Sequence, residues 1–457
     1  QKNIYLIAFL GPSEVALIGL PLKIIVLTVV LFIWMGQMLL HTGASEWFTD
    51  LSAAMMGRSR GGSAKIAVVA SSLFGSISGS AVSNVASTGV ITIPLMRKSG
   101  YDAKTAGAIE AVASTGGQIM PPIMGAAAFL MAELLELAYT EIILAALIPS
   151  LLYYLAVFVQ ADLEAAKKGI AALPKERIPP MMRVMKEGWF FVVPYVVLIY
   201  TLFWMNMAPQ QAAFWAAVSV GVVSIIFGYK KLRITPKQFI ATFSGCGRMS
   251  VDIIIIGAMA GVIIGILDKT GLGQALTLIL AAIGENNLWL LLILTAIISI
   301  LLGMGMPTSA IYLLLATMIA PSLIKLGVNP ISAHLFVLYF GLMSMITPPV
   351  AIAAFAAASL AGAKPMETGM TAVRLGWIAY IIPFVFVLSP NLLMQGEAVQ
   401  VLTALVLACI GVWIASCGFI GYLFRPIGAA FRLLFVAAGL ALLVPGDAFT
   451  YGVAINV

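Results

Sequence analysis

The 457 residues are 62% hydrophobic and only 9% charged, with mean hydropathy +1.08. A water-soluble domain carries about 25% charged residues, because its surface needs polar cover that this chain does not supply. The formal charge of +7 is spread over short segments between apolar runs, which reads as topology-setting charge and not as a nucleic-acid patch.

Runs such as Ile24–Met35, Leu288–Leu302 and Val401–Ile414 are unbroken, whereas outer-membrane strands alternate over about 10 residues. They suit helices of about 20 residues crossing about 30 Å of hydrocarbon. The chain is predicted to be an all-α polytopic membrane protein. A first span covers 18–41, with an amphipathic stretch at 44–57 behind it. Short helices at 63–77 and 80–97 meet at Ser76-Ile-Ser-Gly-Ser-Ala-Val-Ser-Asn84. Neither has the length of a comfortable span, so together they read as a re-entrant hairpin. A helix over 102–133 is interrupted at Gly116-Gly-Gln-Ile-Met-Pro-Pro122, and spans follow at 139–160, 188–206, 209–228 and 246–268. A second hairpin, 288–326, turns at Gly303-Met-Gly-Met-Pro-Thr-Ser309. A second broken helix, 330–362, is interrupted at Met345-Ile-Thr-Pro-Pro349, and spans at 372–394, 397–423 and 427–446 complete the order.

With both hairpins re-entrant and the 42–64 segment cytoplasmic, every Lys and Arg except Lys2, Lys23, Lys269 and Lys325 falls on the cytoplasmic side, as the positive-inside rule requires. Cys246, Cys409 and Cys417 follow no metal-ligand spacing and read as packing residues. Gln1, preceded by neither an initiator Met nor a signal peptide, reads as an interior start.

A shift of 227 residues aligns Pro94 with Pro321, Gly100 with Gly327, and Pro121-Pro122 with Pro348-Pro349. A shift of 228 aligns Thr42-Gly43 with Thr270-Gly271. An odd number of crossings separates the copies, so the second runs upside down. Inverted repeats with broken helices meeting near the midplane are how secondary transporters are built. The expected division is a scaffold helix and amphipathic segment (1–57), a first transport repeat (58–133), scaffold helices (139–287), a second transport repeat (288–362) and C-terminal membrane helices (363–457).

Interrupted helices free carbonyl oxygens, and hard cations take oxygen ligands. Candidate groups are Ser78, Ser80, Ser83 and Asn84 at the first tip, with Gly116, Gly117 and Met120 at its break. Gly305, Pro307, Thr308 and Ser309, with Ser344 and Thr347, are their counterparts. Small and hydroxyl residues also serve close helix packing, which is the competing reading for each one singly. Half-helix N-termini favour anions, so a carboxylate held between the tips needs no buried Arg. Ser80, Ser83, Asn84, Gly116 and Ser309 are the residues assigned to that substrate. Glu110 and Asp252 are the acids expected within the hydrocarbon, with Glu110 a candidate proton carrier. His334 is expected to be packed and hydrogen-bonded. The absence of a Walker sequence excludes ATP as the driving force from within this chain. No cofactor, resident metal or enzymatic group is expected.

Gly75-Ser-Ile-Ser-Gly-Ser-Ala-Val-Ser-Asn-Val-Ala-Ser-Thr-Gly89, Ser114-Thr-Gly-Gly-Gln-Ile-Met-Pro-Pro122 and Gly303-Met-Gly-Met-Pro-Thr-Ser309 resemble the large membrane subunit of TRAP (tripartite ATP-independent periplasmic) transporters. The break motif and the additional C-terminal spans look like the TAXI branch, whose permeases are often fused. The resemblance implies an elevator-type importer in the bacterial inner membrane, using Na⁺, or H⁺ in some TAXI systems, as coupling ion. It implies three partners: a periplasmic TAXI-type substrate-binding protein, a small four-helix membrane subunit (separate or fused upstream), and a small organic acid substrate. It places a first cation site at Ser78, Ala81, Gly117, Met120 and Pro122. The 227-residue shift carries a second onto Gly305, Thr308, Ser344, Thr347 and Pro349. Pro307-Thr308 stands where many members carry an acid. A binding-protein-independent ion-coupled transporter is the alternative on the same repeat, and a channel or structural scaffold the alternative of another class.

Overall fold

A computed structural model describes residues 16–230, 233–284 and 287–444. Gln1, Lys2 and Lys231 of the charge reading, and the end of the span drawn to 446, lie outside them. Among the described residues eight helices are long and apolar enough to cross a membrane, and the β-structure is one isolated bridge, Tyr422 to Pro426. Within hydrocarbon every backbone N–H and C=O must be satisfied internally, which a helix does and an open strand does not. The protein is a polytopic helical membrane protein.

The first repeat runs through seven helices: α1 (Leu20–His41), α2 (Ala44–Met56), the hairpin α3 (Gly62–Ser78) and α4 (Ala81–Lys98), the broken pair α5 (Ala103–Gly116) and α6 (Ala126–Leu134), and α7 (Tyr139–Lys168). After α8 (Met181–Gly188), α9 (Val192–Phe203) and α10 (Pro209–Ile226), the same order returns. It comprises α11 (Pro236–Thr270), α12 (Leu272–Gly284), α13 (Leu288–Gly303), α14 (Thr308–Met318) with α15 (Ala320–Lys325), α16 (Pro330–Met343), α17 (Ile352–Ala361), and α18 (Pro365–Leu375) with α19 (Ile378–Leu388). The chain continues as α20 (Ala398–Ile420) and α21 (Ala429–Leu443). Both Pro-Pro bonds are cis.

Several elements differ from the sequence expectation. Helix α12 has no counterpart in the predicted order, although a shift of 228 pairs it with α2. It carries no charged residue and only Gln274 and Thr277 as polar side chains, so it merges with the apolar spans beside it. The span drawn at 188–206 is α8, a 3₁₀ turn at Trp189–Phe191 and α9. The span drawn at 372–394 is α18 and α19, parted at Gly376, with a further 3₁₀ turn at Pro390–Leu393. Helix α11 begins at Pro236, before the expected 246.

Helix α7 continues to Lys168 and does not stop near 160, because its last charged turns are paired. Lys65 is 6% exposed; its Nζ lies 2.7 Å from Asp162 and 5.1 Å from the Phe158 ring centre. Arg60 also donates to Asp162. Lys168 bonds Asp102 at 2.6 Å and Glu164 at 3.0 Å. Partial burial pushes the Asp102 carboxyl up, yet hydrogen bonds from Lys168 and Thr105 outweigh it and hold the group below the usual carboxylate range. Asp162→Asn strands a nearly buried ammonium and is expected to cost about 2 kcal/mol, seen as a lower thermal midpoint in nanodiscs. Adding Lys65→Met should recover most of that loss. A double variant no better than the single one would refute this account.

The core positions the two interrupted regions. Helix α5 packs among α3, α4, α17 and α18, and α7 lies along α3, α5, α6 and α20. Tyr153 and Tyr154 on α7 donate to the carbonyls of Val112 and Ala113 at 2.6 and 2.8 Å. Helix α1 packs against α10 and α11, with Trp34 Nε1 donating to Thr242 at 3.2 Å.

Candidate functional site

Helix α3 ends where Gly79 turns left-handed, at φ 58°, and Ser80 follows in extended conformation as N-cap of α4. The second tip repeats the device: Gly305 has φ 82°, and Pro307 is the N-cap of α14. Only glycine adopts this region without strain, which is why each tip is built on one. At the first break α5 passes into a 3₁₀ turn, Gly117–Ile119, and Met120 is extended before α6 resumes at Ala126.

Both tips and both breaks meet around one cavity of about 360 Å³, the second break contributing Met345. Ser78, Ser80 and Ala81 line it from the first tip, and Gly305, Thr308 and Ser309 from the second. The Ser78 Oγ is buried without a hydrogen-bond partner among the described residues. An apolar wall includes Phe32 and Phe129, whose rings stack 4.4 Å apart. Among the described residues the lining includes no Lys or Arg.

The remaining candidates lie off this cavity. Gly117 packs on the backbone of Gly75, where a Cβ on Gly75 would lie 2.7 Å from the Gly117 Cα. Gly116 packs on the Tyr153 ring. The Ser83 amide caps onto Ser80 at 3.3 Å. Asn84 is fully buried and donates to the Ser71 carbonyl at 2.8 Å. Met120 and Pro122 are half-buried at the break, and the Pro122 carbonyl accepts from Tyr139 at 3.2 Å. Ser344 donates to the Gly341 and Gly303 carbonyls at 2.6 and 2.9 Å. Thr347 bonds the Met343 carbonyl at 2.6 Å and Tyr380 at 2.7 Å, and Pro349 is exposed.

Sequence reasoning missed Gln118. It is 3% exposed, lines the cavity, and accepts a hydrogen bond from Thr308, tying the first break to the second tip. The signal was there: Gln118 is the only polar side chain in Gly116-Gly-Gln-Ile-Met-Pro-Pro122.

Glu110 lies deeper in the same repeat and is fully buried. Its carboxyl accepts from Ser71 at 2.8 Å, Thr88 at 2.6 Å, Ser114 at 3.1 Å and from Thr92. Three of these hydroxyls, from Ser71, Thr88 and Ser114, converge on Oε1, and the fourth, from Thr92, addresses Oε2. Helices α3, α4 and α5 thus all reach a carboxylate with about four acceptor positions. Asp252 is exposed on α11. His334 is buried and bonds Tyr312 at 2.7 Å. Cys246, Cys409 and Cys417 are free thiols.

Residues 13–401 match the family described as tripartite ATP-independent periplasmic transporter, DctM component. The chain belongs to this family. A relative in Pseudomonas aeruginosa, a C4-dicarboxylate TRAP transporter large permease protein, is 26% identical over 79% of this chain and 83% of its own. A sialic acid TRAP transporter large permease protein of Vibrio cholerae is 24% identical over 79% of this chain and 82% of its own. An isethionate TRAP transporter permease protein of Oleidesulfovibrio alaskensis is 24% identical over 74% of this chain, which covers 53% of that longer protein. These relatives are transporters, and this TRAP permease is a transport component. The family match ends at 401, near the start of α20.

Proposed function

We propose that this permease is a secondary importer of a small organic acid in the bacterial inner membrane, driven by a cation gradient. The observation that carries the reading is the shared cavity at which both tips and both breaks meet, where hydroxyls, an amide and helix N-termini stand in an otherwise apolar lining with no cationic side chain among the described residues. Such a site suits a carboxylate and a hard cation together. The substrates for which the three relatives are named, a C4-dicarboxylate, sialic acid and isethionate, are organic acids and support the class.

Na⁺ has its seat at the tips in this reading, with Ser78 and Thr308 supplying side-chain oxygens beside the carbonyls of Ala81, Gly117, Met120, Pro122 and Gly305. Ser344, Thr347 and Pro349 complete the second site. H⁺ has its seat at Glu110. Residues 58–133 and 288–362 form the moving part of an elevator, their hairpins re-entrant. Spans within 1–57 and 139–287 form the scaffold, and 363–457 adds C-terminal helices. Helix α7 is the scaffold helix that meets the first moving unit, where Tyr153 and Tyr154 bond into α5. Substrate arrives on a periplasmic binding protein, and a small permease, separate or fused upstream, completes the complex. The continuation of α20 and α21 beyond the family match supports the TAXI branch.

Uptake of labelled organic acids into proteoliposomes, with and without binding protein, under Na⁺ or H⁺ gradients, tests this. Uptake is expected to need the binding protein and one gradient. Ser78→Ala is expected to weaken Na⁺-driven uptake ~10-fold, by removing a ligand oxygen worth about 1–2 kcal/mol. Gradient-independent flux with measurable conductance would overturn the reading in favour of a channel.

A further inference from the structure

The 227-residue shift pairs Ser78-Gly-Ser-Ala-Val82 with Gly305-Met-Pro-Thr-Ser309, and Gln118 with Met345. All of these residues line the cavity. Three of these pairs present polar chemistry on one side and apolar chemistry on the other, while Ser78 and Ser80 pair with Gly305 and Pro307 in the reverse sense. Gln118, Thr308 and Ser309 are polar; their respective counterparts Met345, Ala81 and Val82 are apolar.

The two helix starts differ in the same sense. The Ser80 hydroxyl accepts from the Ser83 amide at 3.3 Å, so α4 caps itself. Helix α14 follows Pro307, which gives no side-chain cap. Its Ala310 and Ile311 amides bond the Pro307 carbonyl at 3.1 Å, while the Thr308 and Ser309 amides precede the first intrahelical acceptor. Two buried side chains stand beside these amides with donors unspent. Ser309 is 5% exposed, and its hydroxyl has no hydrogen-bond partner among the described residues. Gln118 is 3% exposed. Its Oε1 is held by Thr308, which leaves both Nε2 hydrogens for a ligand.

We propose that Gln118, Ser309 and the α14 N-terminus form a single carboxylate subsite, and that the half of the cavity at Ala81, Val82 and Met345 takes an uncharged, apolar body. The substrate is a monocarboxylate with an apolar body, which rests on the carboxylate reading of this cavity given above. The second carboxylate of a diacid would lose its hydration against Met345 and Val82, a cost of several kcal/mol for a poorly paired charge. Among the described residues the side-chain donors there are only the Ser78 and Ser80 hydroxyls, the former turned to the cation in the reading above. Thr308 is a positioning residue here: it fixes which end of the Gln118 amide faces the ligand.

The test uses the full chain in nanodiscs and its thermal unfolding midpoint, because a ligand that binds the folded state raises it. The probes are hexanoate, its neutral isostere hexanamide, and succinate, at neutral pH. Hexanoate is expected to stabilise with an apparent affinity at least ~10-fold above that of succinate, and hexanamide not at all, since a hydrogen bond to a charged group is worth about 1.5–3 kcal/mol. Gln118→Leu and Ser309→Ala should each weaken hexanoate ~10-fold, by the loss of one such bond. The pair Ala81→Thr with Val82→Ser copies the second tip onto the first and should bring succinate level with hexanoate. Succinate binding as well as hexanoate in the natural chain, or unchanged selectivity in the tip-copy variant, would overturn the proposal while leaving the carboxylate reading in place. No shift with either acid would remove both.

Discussion

Glu110→Gln is expected to leave the permease folded and to lower the proton-driven component of uptake ~100-fold, the scale of losing a positioned proton-transfer group. The amide matches the carboxyl in shape, and the hydroxyls of Ser71, Thr88, Thr92 and Ser114 that surround it can rotate to serve either. Only the titratable proton is removed. Tyr153 and Tyr154 approach α5 from α7, with their hydroxyls engaged by Val112 and Ala113. The second repeat shows that the backbone does not require an acid there. The 227-residue shift replaces Glu110, Thr88, Thr92 and Ser114 by Val337, Leu315, Ile319 and Gly341. Glu110→Val separates charge from packing. Thr88 and Thr92 can turn to the carbonyls of Asn84 and Thr88, at 2.9 and 3.0 Å, but Ser114 loses its acceptor, a cost of about 2 kcal/mol. Initial uptake rates from mildly acidic to neutral pH decide the matter. A natural pH profile retained by the glutamine variant would reduce Glu110 to a packing group.

Gly117→Ser should abolish transport and cost about 3 kcal/mol of stability by forcing backbones apart, whereas Ser344→Gly should cost only about 1 kcal/mol. The two positions are repeat equivalents, 227 residues apart. At the first, the Cα atoms of Gly75 and Gly117 are so close that a Cβ on either would collide with the other. Close approach of this kind is what glycine permits in packed membrane helices. At the second, the backbones stand further apart, and the Ser344 hydroxyl fills the gap by donating to the Gly303 carbonyl at 2.9 Å. Thermal midpoints of the two variants, measured side by side, check the contrast. Equal losses would mean that the two breaks pack alike.

Both predictions depend on a repeat that is legible in the amino-acid sequence. Pro94 with Pro321, Gly100 with Gly327, and the two Pro-Pro pairs mark it at one spacing. The hairpins and breaks follow from residues that act on their own backbone: Gly79 and Gly305 at left-handed turns, and prolines that cannot donate to a helix. Helix α12 is not legible in the same way, although Thr270-Gly271 marks its start as Thr42-Gly43 marks that of α2, because it lacks the charged residues that set α2 apart from its neighbours. Nor is the reach of α7, because Asp162, Glu164 and Lys168 look like loop charges until Lys65 and Asp102 are seen beside them.

Membrane residence, the order of the helices other than α12, and the place of both interruptions were thus determined by the sequence alone, since hydropathy, span length and backbone punctuation are local properties. Which interruption residues share a cavity was decided only by the tertiary structure. Gln118 reaches Thr308 across 190 residues of chain, Asn84 turns away to the Ser71 carbonyl, and four hydroxyls from three helices close on Glu110. A hydrogen-bonding side chain carries no mark of its partner. It acquires one when packing brings distant backbone segments within about 3 Å of each other.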